Sequence, residues 1–162
     1  MERSSVRPTD GAETIVHTYG NILFRLCLVM LGNEADAEDA VQETIIKYLQ
    51  KAPSFENSEH EKAWLITVAK NKCRDILRFR QRHQQISLEY LEDISFDSSD
   101  SGILEALMSI PEKFRLVLVL YYVEEYRIDD IAHIINKTTS AVKMRLKKGR
   151  KLLEEKYRKE YL

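Results

Sequence analysis

Apolar residues recur at helical spacing along almost the whole of this 162-residue chain, and the alternation that marks β-strands is nearly absent. Glycine (5) and proline (3) are scarce, so few positions interrupt a helix. The spacing predicts helices over about 10–31, 34–51, 60–82, 102–110, 112–123, 127–135 and 139–159. "LGNEAD" (31–36) is a break, and "KAPSFENSEH" (51–60) is a longer loop around Pro53 and Asn57. The fold class is all-α. One composition shift divides it. "QQISLEYLEDISFDSSDSG" (84–102) carries Glu89, Glu92, Asp93, Asp97 and Asp100, has no Lys or Arg, and ends in Ser and Gly. It reads as an acidic linker, 84–103, between two small helical domains, 1–83 and 104–162. Leu88, Tyr90, Leu91, Ile94 and Phe96 give it more apolar content than a spacer needs, which predicts that it docks part of the time.

Charge balance excludes little: 25 Lys and Arg face 26 Asp and Glu. Where the charges lie says more. Cys27 and Cys73 sit in helical apolar patterns and read as two reduced, packed thiols rather than a disulfide. The longest uninterrupted apolar run, "LVLVLYYV" (116–123), is too short to span a membrane, and "MERSSVRPTDG" lacks the apolar region of a signal peptide. These features predict a cytoplasmic protein without direct membrane insertion.

"RIDDIAHIINKTTSAVKMRLKKGRKLL" (127–153) is the most specific stretch. Its first helix should bury Ile128, Ile131, Ala132 and Ile135. Asn136 tolerates the left-handed conformation of a tight turn, and Thr138 or Thr139 can cap the next helix. On that helix Val142, Leu146, Gly149 and Leu153 face a core, while Ser140, Met144, Lys147, Lys148 and Lys151 face outward, flanked by Lys143, Arg145 and Arg150. Ten basic residues lie between Lys137 and Lys159, against Glu154 and Glu155. A tight turn followed by a cationic helix is the footprint of a helix-turn-helix that reads the major groove. A solvated basic helix would not explain the agreement of turn, cap, core face and basic face.

A second basic helix, "AWLITVAKNKCRDILRFRQR" (63–82), turns Leu65, Ile66, Ala69, Cys73, Ile76 and Leu77 to one side. Trp64, Asn71, Arg74, Arg78 and Arg82 take the other, and Asp75 is the only acid. An aromatic ring beside guanidinium groups suits stacking on an unpaired base while the cations hold phosphate. Phe55, Asn57 and His60 in the preceding loop could pocket a flipped base. Packing against a neighbouring helix accounts for Trp64 equally well. Upstream, in "DAEDAVQETI" (36–45) and the turn that follows, Ala37, Val41, Ile45 and Tyr48 share one face, with Asp36, Asp39, Gln42 and Glu43 on the other. Ile46 falls among the acids, on the side that should be wet.

"DAEDAVQETIIKYL", "AWLITVAKNKCRDILR" and "IPEKFRLVLVLYYVEEYRIDDIAHIINKTTSAVKMRLKKGRKLL", in this order, resemble the extracytoplasmic-function (ECF) sigma factors of the sigma-70 class, over about residues 12–158. The resemblance implies a region 2 helical bundle and a region 4 helix-turn-helix joined by the acidic linker. It implies a factor that binds core RNA polymerase and directs promoter-specific initiation. Asp39, Gln42 and Glu43 match positions that contact the clamp helices of the largest polymerase subunit, with Asp36 and Ile46 beside them. The loop at 54–62 and the helix from Trp64 would recognise and melt the −10 element, with Asn71 at its upstream edge. Lys143, Met144, Lys147 and Lys148 match base-facing positions for the −35 element, and Thr139, Ser140, Arg145 and Lys151 flank them. The linker would thread toward the RNA exit path. An anti-sigma partner, often membrane-anchored, is also implied.

The chain departs from the family pattern in several places. Asn136 stands where the family has Gly, Lys137 where it has an apolar residue, and Ser140 and Ala141 where it has Gly-Thr. Met144 precedes Arg145 where Ser-Arg is usual, and Met144 could meet a thymine methyl.

Other classes fit less well. His17, His60, His83 and His133 are scattered without metal spacing, and there is no Gly-rich phosphate loop, so neither an enzyme nor a cofactor is expected. An ordinary helix-turn-helix regulator would leave Trp64 and the 36–46 face idle. A sigma-like adaptor without promoter-melting activity is the remaining alternative.

Overall fold

The computed structural model describes residues 8–83 and 101–161. The acidic stretch 84–100, with its expected docking, lies outside the described residues. The elements in chain order are α1 (Pro8–Leu31), α2 (Glu34–Lys51), α3 (Ser58–His83), α4 (Ser101–Ser109), α5 (Glu112–Leu118), a π-helical turn (Val119–Val123), α6 (Ile128–Ile135) and α7 (Thr139–Tyr161). The described residues are helical with no strand. They form two compact units, α1–α3 and α4–α7.

In the first unit α1 packs along α3. Along most of α1 the buried residues, Ile15, Tyr19, Leu23, Leu26 and Cys27, recur at three or four residues as one helix face requires, and at its end Leu28, Val29, Met30 and Leu31 are buried as well. On α3 the buried residues include Leu65, Ile66, Ala69 and Cys73, as the sequence pattern predicts. Each large apolar side chain taken out of water here contributes about 1.5–3 kcal/mol. Both cysteines are buried, and neither is in a disulfide.

The apolar content of α1 is higher than its uninterrupted runs suggest: Gly11–Leu31 is 21 residues long and holds an 18-residue window of mean hydropathy 1.4, enough by length and composition to cross a membrane. Polar residues such as Thr14, Asn21 and Arg25 interrupt the apolar run without lowering its average far. Half of the stretch is buried within the protein, as in the core helix of a bundle.

In the second unit α4, α5 and α6 all pack on α7. Leu116, Val117, Leu118, Val119 and Leu120 are all buried, so the chain is enclosed on every side from the end of α5 into the π turn. A Cβ at Gly149 of α7 would stand 3.3 Å from Leu118 and 3.4 Å from Phe114, so this glycine permits the close approach of α5 and α7. Arg115 is 8% exposed. Its Nη1 donates to the carbonyls of Met108 (2.9 Å) and Ile110 (3.1 Å), satisfying carbonyls at the end of α4.

The periodicity predicts one helix over 112–123, yet its last turn is widened. Glu124 N–H donates to Val119 O at 3.0 Å, five residues back. The π turn leaves Tyr122 and Val123 exposed, and Glu125 follows at φ 58°. The turn between α6 and α7 behaves as expected. Asn136 is left-handed (φ 55°, ψ 51°), and the N–H groups of Asn136 and Lys137 donate to His133 O (3.3 Å) and Ala132 O (2.9 Å). That pair of bonds closes α6 in the Schellman manner.

Only two described non-glycine residues have positive φ, Glu125 and Asn136. The left-handed region costs an ordinary side chain about 1 kcal/mol, and less for Asn. Glu125→Gly should therefore stabilise the second unit by up to about 1 kcal/mol, and Asn136→Ala should destabilise it by about as much. Denaturant unfolding of the full chain checks both, and a loss of stability in Glu125→Gly would contradict the account.

Candidate functional site

Three exposed surfaces carry the candidate residues. On α2 the buried residues are Ala37, Ala40, Thr44 and Ile45. Val41 and Tyr48, expected to be buried, are half-buried. The buried face is rotated toward Ala40 and Thr44, whose hydroxyl needs no outside partner because it donates to Ala40 O at 2.7 Å. Asp39, Gln42 and Glu43 are exposed, and Ile46 stands 51% exposed beside them. Asp36 differs from them. It is held by the guanidinium of Arg80 on α3, whose Nη1 also donates to Leu31 O at 2.6 Å. Arg80 thus ties the end of α1 and the start of α2 to α3, and Asp36 belongs to that tie. Glu43 faces Lys72 of α3 at 3.8 Å.

The second surface surrounds the start of α3. Trp64 is not a bare ring on a polar face. It packs edge-on against Tyr48 (centroids 6.1 Å apart) and Phe55 (5.8 Å), while Tyr48 and Phe55 stack at 6.3 Å with planes 10° apart. All three rings are half-buried. Of the two readings of Trp64, the ring contacts show the packing one: its partners are Tyr48 of α2 and Phe55 of the preceding loop. Asn57 has a local task, since its side-chain oxygen accepts the His60 N–H at 2.9 Å and caps α3. His60 is exposed, 3.7 Å from Glu56. Asn71 and Arg78 are exposed, with Arg78 beside Asp75 at 3.4 Å, and Arg74 is half-buried.

Beneath these rings lies a cluster with no local signal in the sequence. Glu61 Oε1 accepts the Tyr19 hydroxyl at 3.0 Å, and Oε2 accepts the Tyr48 hydroxyl at 2.8 Å. One carboxylate joins α1, α2 and α3. Burial, then the hydrogen bond and charge of Glu61, push the Tyr19 phenol up to about 12.

The third surface is α7. Thr138 is its cap, its Oγ1 accepting the Ala141 N–H at 3.1 Å. Val142, Leu146 and Gly149 are buried, and Leu153 is half-buried. Thr139, Ser140, Lys143, Lys147, Lys148 and Lys151 are exposed, and Met144 is 72% exposed. Lys148 leans over Phe114, its Nζ 5.7 Å from the ring centre. Arg145 stands at the rim: it is half-buried, and its Nη1 is enclosed without a hydrogen-bond partner. Arg150 reaches back to the π turn, where its Nη1 donates to the Tyr122 hydroxyl at 3.0 Å.

Residues 15–83 match the family model of sigma-70 region 2, and residues 101–153 match that of sigma-70 region 4. The chain belongs to the sigma-70 family. Its relatives include the ECF sigma factor SigW of Bacillus subtilis, 28% identical over 169 residues covering 92% of this chain and 90% of SigW. Sigma factor SigV of the same organism is 28% identical over 153 residues, covering 92% of each chain. In fold the sigma factor is similar to Bartonella quintana RpoE, solved with the anti-sigma factor NepR (TM-score 0.72, 22% identity, 90% of this chain and 96% of that one). CnrH, solved with the cytosolic domain of CnrY, gives a TM-score of 0.66 at 22% identity over 93% of this chain and 94% of that one. The sigma factor is of the ECF group and directs RNA polymerase to promoters.

The Tyr19–Glu61 bond gives this region a pH signature. A phenol whose pKa is higher in the folded state contributes stability that is fully present below the unfolded value, about 10, and is lost as pH rises through the folded value. The stability difference between wild type and Tyr19→Phe should stay constant below pH 10 and shrink between about 10 and 12. Urea unfolding at stepped pH measures it, and a difference that grew over that window would contradict the assignment.

Proposed function

We propose that this sigma factor binds core RNA polymerase through the exposed face of α2, captures the melted −10 strand around the aromatic cluster, and reads the −35 element with the outer face of α7. It acts without catalysis of its own and in the cytoplasm, where the polymerase works. The observation that carries the reading is the α6–Asn136–α7 unit. One side of α7 is buried, and the opposite side, with Met144 72% exposed among lysines, is left bare. Such a helix suits the major groove: cations meet phosphate while a small apolar group meets a thymine methyl.

Asp39, Gln42 and Glu43 around Ile46 fit a protein partner, with apolar contact for affinity and charge for orientation. Phe55 and Trp64 offer ring edges and faces for an unstacked base, and Asn71, Arg74 and Arg78 supply polar and cationic groups along the strand. Asp36 and Asn57 support these surfaces through Arg80 and the α3 cap. RpoE was solved with the anti-sigma factor NepR, and CnrH with the cytosolic domain of CnrY. A similar partner, membrane-anchored in many ECF systems, is proposed to hold this protein before release. A regulator acting without polymerase would leave the α2 face and the aromatic cluster without a role.

Two experiments test the assignment. Asp39→Arg with Glu43→Arg should weaken core polymerase binding at least tenfold, about 1.4 kcal/mol, while the circular dichroism melt stays near wild type. Normal binding would remove this face from the interface. Lys147→Ala with Lys148→Ala should lower the salt slope of promoter binding by about two. A drop near one would leave Lys148 to Phe114, and an unchanged slope would take this face off the DNA.

A further inference from the structure

Tyr48 belongs to two assemblies at once. Its ring stacks on Phe55 and meets the edge of Trp64, and its hydroxyl donates to Glu61 at 2.8 Å. Ring contacts alone leave a half-buried phenol free to slide in its plane, because stacking is tolerant of offset. A hydrogen bond to a carboxylate is directional and short, and it fixes where the ring edge lies. Glu61 also accepts from Tyr19 of α1 through its other oxygen. Glu61 itself is carried by the backbone of α3, so the Tyr48 hydrogen bond refers the position of the aromatic cluster to α3, with or without the Tyr19 hydroxyl.

We infer that Glu61 is a positioning residue for −10 strand capture: through Tyr48 it sets the ring against which Phe55 and Trp64 hold an unstacked base. The inference rests on the aromatic cluster being the strand-capture surface. Glu61 does not touch DNA in this account. Its carboxylate is occupied by two hydroxyls, and its charge would repel phosphate.

Four substitutions separate positioning from simple stability. Tyr48→Phe and Tyr19→Phe each remove one hydroxyl from the same carboxylate, but only Tyr48 touches the rings. Both should lower the melting temperature of the sigma factor by similar amounts. The probe is holoenzyme, made from full-length protein and core polymerase, on a promoter fragment recovered by mapping transcript starts from a genomic library, with 2-aminopurine in the −10 element. Tyr48→Phe should reduce the unstacking signal at limiting holoenzyme about tenfold, the scale of one hydrogen bond to a charged group. Tyr19→Phe should leave it within about twofold, less than half of such a bond's energy. Core polymerase binding should be unchanged in both. Glu61→Ala should behave as Tyr48→Phe or worse, and Glu61→Gln should recover most of the signal, because an amide can still pair with both hydroxyls.

Equal losses in Tyr48→Phe and Tyr19→Phe, tracking the melting temperature, would overturn the proposal. Trp64→Ala separates it from the reading beneath it. Loss of signal in Trp64→Ala with wild-type behaviour in Tyr48→Phe and Glu61→Ala would overturn the positioning role alone. A wild-type signal in Trp64→Ala would overturn the capture surface, and the positioning role with it.

Discussion

Units of three or four helices can bury only one stripe of most of their helices, and that geometric limit governs this molecule. In the first unit the buried stripes of α1 and α3 meet, and α2 contributes Ala37, Ala40, Thr44 and Ile45. In the second, α7 gives one face to α4, α5 and α6. What remains outside is fixed by what had to go inside. Ile46 and Met144 stay exposed because each lies opposite a face already committed to the core.

Polar groups then divide by distance from that core. Close in, charges are spent on architecture: Arg115 on the carbonyls that end α4, Arg80 on Asp36 and the end of α1, Glu61 on two tyrosines. Farther out, Lys143, Lys147, Lys148 and Lys151 of α7 are exposed to solvent. Asp36 shows why the two classes blur in a linear reading. It shares a helix face with Asp39 and Glu43, yet it alone lies within reach of Arg80.

This division explains what the sequence could reveal. Helical period and the core faces of α3 and α7 are local patterns, so Leu65, Ile66, Ala69, Val142 and Leu146 were legible. So was Asn136, because a left-handed helix end is chosen by the residue that occupies it. The π turn was not, because widening by one residue leaves hydrophobic spacing almost untouched. Nor was the Tyr19–Glu61–Tyr48 cluster, whose members are 42 and 13 residues apart and meet only when three helices pack. The Phe55–Trp64 pairing was half legible: the two were placed near one another, but Tyr48 was assigned to a core face.

The exposure of Met144 has an evolutionary side. A residue this bare contributes little to folding, and surface changes of that kind shift stability by about half a kcal/mol or less. The same holds for Ser140, Lys143 and Lys147 around it. Gly149, Val142 and Leu146, by contrast, are locked against α5 and the core. Drift in sequence can therefore rewrite the outer face of α7 while its scaffold stands still. With α7 as the proposed −35 reader, two copies of such a chain could, after a gene duplication, part ways in the promoters they answer to without either passing through a form that fails to fold.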